Sequence, residues 1–587
     1  MPENWKELVE KKDKFNLYIL FIILLFATFI EMLGIGSIPL FAMLITNPNQ
    51  LIDYLPDWLS LNFIIEVDRK KIIFIGSILL LVVFVFKNLF LGFMNYFQAF
   101  TIKELRINIY KKLFALYINS DYEFHLLKNP SELIRNITSE VGRSSNYILN
   151  SIMLIKEALI MITIFTLLLS IDFKISLLTF SLSGSFALIF YLATKKGAKK
   201  RGKIVQIFWA AILKAVNQGL GSVKETKILN KENYILDIFN KNIKVVEKYN
   251  LHQNFMVILP KLFLEVIAIL TIVVVSVFFI FFDRNQSNYI PLITLITVAS
   301  IRLMPSVNTV TSSIARLKYL SPSFTLISEE IKKLKKSIKN SNNKINQENN
   351  NKIIFNKSLD IKNIVYYYPN SKKKVIDNIS FKINYGEIIG VIGQSGAGKS
   401  TLIDLIVGLL NATEGEILVD GKNINLSKKN WQKQIGYIPQ EVYLFDDTIR
   451  SNIAFGVRGN DINEADLKNS IKLAELEKFI ESLPDKENTI VGDRGVWLSG
   501  GQKQRIGIAR SLYFKPKILI FDEPTGSLDV KNEEKIMNHI FSLGGNLTII
   551  IISHRISILK DCIKIINLVD GKIKEITSYE SLLEKNN

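Results

Sequence analysis

Glu387 to Leu402 reads E-I-I-G-V-I-G-Q-S-G-A-G-K-S-T-L. The apolar run Ile388 to Ile392 breaks at Gly393 into a glycine-rich turn, and Lys399, Ser400 and Thr401 open a helical pattern. G-x-x-x-x-G-K-S therefore stands between a strand and a helix, as a phosphate-binding loop requires. Gly393, Gly396 and Gly398 let backbone N–H groups close around phosphates, with Gln394, Ser395 and Ala397 completing the turn. The positive end of the following helix adds to the attraction. Lys399 is placed to reach the outer phosphates. Ser400 offers its hydroxyl to Mg²⁺, a cation held through few protein oxygens plus the phosphates themselves.

Two further stretches belong to this chemistry. The predicted strand Ile518 to Phe521 ends in Asp522-Glu523, two carboxylates that divide labour: Asp522 for the Mg²⁺ shell, Glu523 to orient or deprotonate a water for in-line attack. Between the two lies Leu498-Ser499-Gly500-Gly501-Gln502. Ser499 is a good N-cap, and the glycines expose N–H groups at a helix start, which makes a second phosphate site within one chain.

The 587 residues fall into two unlike halves, apolar blocks before about residue 302 and soluble patterning after about 352. The lone cysteine, Cys562, excludes an intramolecular disulfide framework and a cysteine-rich metal site. The net charge of +19 comes from lysines clustered beside apolar blocks, the pattern of cytosolic membrane flanks rather than of a nucleic-acid partner. Six blocks, 17–45, 72–97, 152–169, 175–193, 255–282 and 289–308, are each near or above the roughly 18–20 residues that cross about 30 Å of hydrocarbon. Met1 to Phe15 lacks the pattern of a secretory signal and is expected in the cytosol. Residues 195–250 carry thirteen Lys or Arg against four acidic residues, and 101–150 seven against five, so these loops and everything after the sixth span are placed in the cytosol. In the first outer loop, Leu51, Ile52, Tyr54, Leu55, Trp58 and Leu59 recur near helical spacing, consistent with an interfacial helix or with packing onto span ends. Residues 331–352, rich in Lys and Asn, read as a solvated linker.

Charged residues inside spans are costly. Glu31, Lys87, Lys156, Glu157, Lys261, Glu265 and Arg302 are such residues, and for each a structural ion pair or snorkelling stands beside a place in a polar cavity. Arg302, just ahead of Pro305, is the strongest cavity candidate.

L-S-G-G-Q, with G-Q-S-G-A-G-K-S-T before it and I-L-I-F-D-E-P-T-G-S-L-D after it, resembles the nucleotide-binding domain of ABC transporters. Six spans ahead of one such domain resemble the exporter-type half-transporter. The resemblance implies a multidomain chain: an all-α six-helix transmembrane domain over 1–330, the linker 331–352, and an α/β P-loop NTPase domain over 353–587. It implies ATP with Mg²⁺, an ATPase coupled to movement across a bacterial cytoplasmic membrane, and a homodimer in which each ATP lies between the P-loop of one copy and the L-S-G-G-Q of the other. Residue by residue, Tyr368 in Y-Y-Y-P resembles the aromatic that stacks on adenine, with Tyr366 and Tyr367 as neighbours open to confusion. Gln440 in Y-I-P-Q resembles the glutamine that touches Mg²⁺, Asp529 ends the stretch that crosses the dimer interface, and His554 in I-S-H-R resembles the histidine at the γ-phosphate. The catalytic set is then Glu523, His554 and Gln440, the metal set Ser400, Gln440 and Asp522. Asp121 to His125 and Gly221 to Glu225 resemble cytosolic coupling segments. Pro260-Lys261 with Glu265, and Arg302 to Ser306, resemble the bacterial flippase for lipid-linked oligosaccharides in protein glycosylation, which makes Arg302 and Lys261 candidate cargo residues. An exporter of drugs, other lipids or peptides is the alternative, and a nucleotide-gated channel or regulatory membrane protein a third reading.

Overall fold

The computed structural model describes residues 5–46, 69–169, 173–281, 289–346, 353–369, 371–523, 530–542 and 545–586. The chain divides into two compact units, Met1–Ser120 with Lys128–Ser337, and Asp121–Leu127 with Ile338–Asn587.

The first unit is helical. Its six long helices, Lys11–Thr46, Arg69–Ile118, Val141–Leu169, Phe173–Gly221, Glu232–Phe281 and Tyr289–Asn346, each carry one of the six apolar blocks. Several run well past their block, because an apolar stripe on one face sustains a helix after the all-round apolarity has ended. Past residue 97, Leu105, Ile109 and Leu113 recur every four residues and are fully buried. Within the blocks the opposite holds: Leu79, Leu81 and Leu89 are 62%, 64% and 70% exposed in this unit, an apolar surface that water does not favour and lipid or another apolar helix does. Among the described residues, Lys11–Thr46, Lys70–Ile118, Pro130–Leu169 and Gly197–Gly221 are long and apolar enough to cross a membrane. The fourth of these lies just after the expected span at 175–193, many of whose side chains fall outside the described residues.

The expected linker is corrected. The last long helix continues to Asn346, through most of 331–352. Leu320, Phe324, Ile327, Ile331 and Leu334 are buried at alternating spacings of four and three, so one apolar residue per turn keeps the segment helical despite its lysines. The stretch at 51–59 lies outside the described residues.

The second unit is α/β. β1 (Ser358–Tyr366), β2 (Ile376–Asn384), β4 (Glu414–Val419) and β5 (Lys422–Asn423) form an antiparallel sheet in the order β2-β1-β4-β5. β3 (Ile388–Gly393), β6 (Ile435–Ile438), β7 (Ile518–Asp522), β8 (Thr548–Ile552), β9 (Lys564–Val569) and β10 (Lys572–Thr577) form the second sheet, ordered β10-β9-β3-β8-β7-β6. Pairing is parallel from β9 through β6, and only β10 is antiparallel. β7 and β8 are buried runs of Ile, Leu and Phe, the composition of a sheet covered on both faces. This order sets the carboxyl ends of β3, β8, β7 and β6 side by side, and ligands of open α/β sheets bind beyond such ends.

Candidate functional site

β3 delivers the turn 393–398 directly into the helix Lys399–Val407. Gly393, Gly396 and Gly398 have φ of +153°, +82° and +99°, values that L side chains rarely adopt. A Cβ at Gly393 would stand 2.4 Å from the carbonyl oxygen of Leu568, whereas at Gly396 it would meet open space. The backbone at Gly396 is thus bare toward solvent, the form a phosphate cradle needs. Gln394, Ser395 and Ser400 are exposed, and Ala397, Gly398 and Lys399 are buried behind them.

Lys399, 7% exposed, donates from Nζ to the carbonyls of Gly393 (2.8 Å) and Gln394 (3.2 Å) and lies 3.2 Å from His554 Nε2. Burial lowers its proton affinity below that of an ordinary lysine, while Glu523 and Asp522 pull it back up. Glu523 follows β7 in the left-handed region, φ +50°, an uncommon setting for a glutamate. Its amide donates to the Ile552 carbonyl on β8 (3.1 Å). Its two carboxylate oxygens are engaged separately: Gln440 Nε2 donates to Oε2 at 3.0 Å, and His554 Nε2 stands 2.9 Å from Oε1. Lys399, His554, Glu523 and Gln440 therefore form one contiguous chain across the ends of β3, β8, β7 and β6.

Asp522 sits beside it, half-buried, accepting a hydrogen bond at Oδ2 from the Tyr437 hydroxyl (3.0 Å). Burial raises its proton affinity and the charge of Glu523 adds to that, while the Tyr437 bond and Lys399 oppose it. A cation nearby would relieve both raising effects. One hydroxyl (Ser400), one carboxylate (Asp522) and one amide oxygen (Gln440), with phosphates, fit the sparse oxygen shell of Mg²⁺.

Tyr366 is corrected as an alternative for base stacking: it is 1% exposed, buried in the core of β1, with its hydroxyl 3.5 Å from Glu123 Oε1. Tyr368 is half-buried, its hydroxyl 2.9 Å from Thr401 Oγ1 in the first turn of the P-loop helix. Leu498 is half-buried against the core, and Ser499 caps the helix Gly500–Tyr513 by a reciprocal box, Ser499 Oγ accepting from Gln502 N (3.3 Å) and Gln502 Oε1 from Ser499 N (2.8 Å). Ser499 and Gly500 are exposed, with Gly501 beside them, and among the described residues no hydrogen bond joins 498–502 to the P-loop or to Glu523. Asp529 lies outside the described residues.

In the helical unit Arg302 is engaged in an ion pair, the structural reading that stood beside the cavity. Its Nε and Nη2 both lie 2.5 Å from Glu31 Oε1, and Glu31 is 4% exposed, so the guanidinium is spent on an ion pair within the unit. Glu157 likewise accepts from Ser306 (2.8 Å) and lies 3.5 Å from Lys156. Lys261 and Glu265 are exposed, and among the described residues no ion pair joins them. Sequence reasoning missed Tyr437. Its signal was its place three residues before Gln440, on the strand beside β7.

The model of the family described as ABC transporter matches residues 376–526. The chain is 37% identical over 289 residues, 49% of its length and 46% of the relative's, to the heterocyst differentiation ATP-binding protein HepA of Nostoc. It is 39% identical over 231 residues to the alpha-hemolysin translocation ATP-binding protein HlyB of Escherichia coli, covering 39% of this chain and 32% of that protein. With the putative multidrug export protein YgaD of Bacillus subtilis the identity is 27% over 501 residues, 84% of this chain and 83% of the relative. The chain thus spans under half the length of HepA and HlyB and most of YgaD. A bacterial Atm1-family ABC exporter with ATP bound superposes with a TM-score of 0.78 over 98% of this chain and 96% of that one, at 20% identity. Residues 376–526 thus match the ABC transporter domain family, and the chain as a whole shares the fold of that exporter, a helical domain with candidate membrane spans followed by an α/β domain.

Proposed function

We propose that the chain is an ATP-hydrolysing exporter subunit that works as a homodimer in a bacterial cytoplasmic membrane. The observation that carries this is the engagement of Glu523, its two oxygens held by Gln440 and His554 beside Lys399. Such a carboxylate is oriented to accept a proton from a water aimed at the γ-phosphate, His554 and Lys399 lie toward the phosphate side, and charge developing there meets fixed donors. Ser400, Asp522 and Gln440 would hold Mg²⁺, which neutralises phosphate charge; Tyr368 would contact adenine. The exposed Ser499–Gly500 cradle, unconnected to the P-loop of its own chain, supports its use on a second copy's ATP.

For cargo we propose an amphipathic lipid with an anionic head group, a lipid-linked oligosaccharide being one such molecule. Lys87, Lys156 and Arg302 outnumber Glu31 and Glu157 among the in-span charges that meet one another, and Lys261 is exposed. An exporter of drugs or peptides is the second reading, favoured by the ion pair that occupies Arg302. Reconstituted vesicles test the whole: ATP should drive one-way movement of a labelled lipid diphosphate and Glu523→Gln should stop it. ATP-driven movement of drugs with none of the lipid would leave the exporter standing and remove the cargo; passive ion conductance without net transport would remove both.

A further inference from the structure

We infer that Tyr437 is a positioning residue for Asp522: its hydroxyl fixes Oδ2 of that carboxylate and so leaves Oδ1 turned to the nucleotide side, where a metal shell would take it. The inference rests on the proposed reading of Asp522 as part of the Mg²⁺ set.

The register gives the first argument. In the parallel pair β6–β7, Tyr437 is opposite Ile520, so its side chain must reach forward two residues, about 6.6 Å at the rise of a strand, to touch Asp522. A tyrosine spans that distance; serine, threonine and asparagine do not. The second argument is exclusivity: among the described residues the Tyr437 hydroxyl is the one hydrogen-bond donor to the Asp522 side chain. Without it, a half-buried carboxylate next to Glu523 is free to rotate toward the cation Lys399, whose charge already reaches it. The third is that Tyr437 is itself clamped. Ser511, on the helix that Ser499 caps, donates to its carbonyl at 3.0 Å, and a Cβ on Gly436 would come within 2.7 Å of Leu519 Cδ1, so β6 lies tight on β7. Three residues on, Gln440 binds Glu523. One short stretch, Tyr437 to Gln440, thereby holds two adjacent carboxylates in separate orientations. It holds each with a neutral donor, a phenol for Asp522 and an amide for Glu523. Groups that orient a metal ligand without touching the metal commonly alter affinity tenfold or more when removed.

The test uses the purified full chain and Tyr437→Phe, which keeps the ring and deletes the hydroxyl. ATP binding in EDTA should match wild type. The apparent Kd for Mn²⁺ in the presence of ATP, read from the electron paramagnetic resonance of free Mn²⁺ and normalised to ATP-competent protein, should rise about tenfold. In an Asp522→Asn background the same substitution should add nothing. Ser511→Ala keeps the Tyr437 hydroxyl but removes a clamp on its strand, and should raise the Kd by less than Tyr437→Phe does. Unchanged Mn²⁺ affinity in Tyr437→Phe, or an equal loss with Asp522→Asn, overturns the inference and leaves the proposed ATPase intact. A wild-type chain whose ATP site gains nothing from Mn²⁺ overturns both.

Discussion

Arg302 and Glu31, 271 residues apart, meet through a guanidinium that places Nε and Nη2 each 2.5 Å from one carboxylate oxygen, Oε1. The other oxygen, Oε2, is buried with no hydrogen-bond donor among the described residues. Arg302 is about a quarter exposed and Glu31 nearly enclosed, so the acid depends on the base more than the reverse. Removing one partner of a buried pair strands the other charge at a cost on the order of 3 kcal/mol. Arg302→Ala is therefore expected to lower the melting temperature of the detergent-solubilised chain by several degrees. Combining it with Glu31→Gln should recover most of the loss, since the enclosed carboxylate is then no longer a stranded charge. If the single variant melts like wild type while lipid-stimulated ATPase alone falls, Arg302 belongs to the cargo path and not to the scaffold.

Glu523→Gln keeps the size and one acceptor oxygen but turns the other oxygen into an N–H₂ donor and removes the basic carboxylate. ATP binding should persist and turnover should drop by a factor of about 10² or more, the contribution typical of a positioned general base. His554→Ala should fall in the same direction, because Oε1 loses its neighbour at 2.9 Å. Near wild-type hydrolysis by purified Glu523→Gln would move the water-activating role to another group.

How far the sequence carried depends on whether the interaction is local. The P-loop is a contiguous pattern, and its turn and helix stand where its glycines and Lys399 require. The six apolar blocks were equally local, but the ends of their helices were not, because outside hydrocarbon one buried residue per turn, such as Ile331 or Leu334, suffices. The neighbourhood of Glu523 was legible only through motifs that resemble a family. What joins Gln440, Glu523 and His554 is the strand order β8-β7-β6, which no spacing in the sequence encodes. The partner of Arg302 was beyond reach for the same reason, and so was Tyr437, whose contact needs the register of β6 on β7.

Asp404 on the P-loop helix has its pKa raised to about 6, first by burial and then by the charge of Asp522. A carboxyl that holds its proton more tightly folded than unfolded favours the folded state at low pH. That advantage disappears as pH rises through the folded value, and above it the buried charge is a net penalty. Asp404→Asn removes the penalty, by about 1 kcal/mol once solvent screening is allowed for. The variant should melt higher than wild type near about pH 7.5, and the gap should shrink toward about pH 4.5. A gap that stays constant or widens on acidification contradicts the assignment.

Cys562 is 5% exposed and its thiol is pushed up to about 12, chiefly by burial. Thiolate is the reactive form, so the native chain should resist maleimide near neutral pH and react only as it unfolds. Labelling rates should follow the unfolding curve in urea. Rapid modification of the folded chain would mean that the segment around Leu559 and Cys562 opens locally.

The composite site offers the most discriminating experiment. In one chain Ser499 and Gly500 are exposed, and no hydrogen bond among the described residues joins them to the P-loop. If two copies complete one another, each ATP meets the P-loop of one and the Ser499 cradle of the other. Lys399→Ala removes the ammonium that sits at the loop, and Ser499→Arg replaces the cap with a side chain too long for the cradle, so either variant as a pure dimer carries two damaged sites. Mixed dimers differ. Both lesions fall on one site, and the remaining site pairs an intact loop with an intact cradle. Tagged co-purification of mixed dimers should therefore recover ATP trapping at about half the wild-type stoichiometry, a level neither pure variant reaches. Hydrolysis falls below half where the two sites fire in concert, which is why trapping in a Glu523→Gln background is the quantity to measure. Mixed dimers that trap no more nucleotide than the parents, with each variant folded and dimeric, would refute the shared site and leave each chain to complete its own.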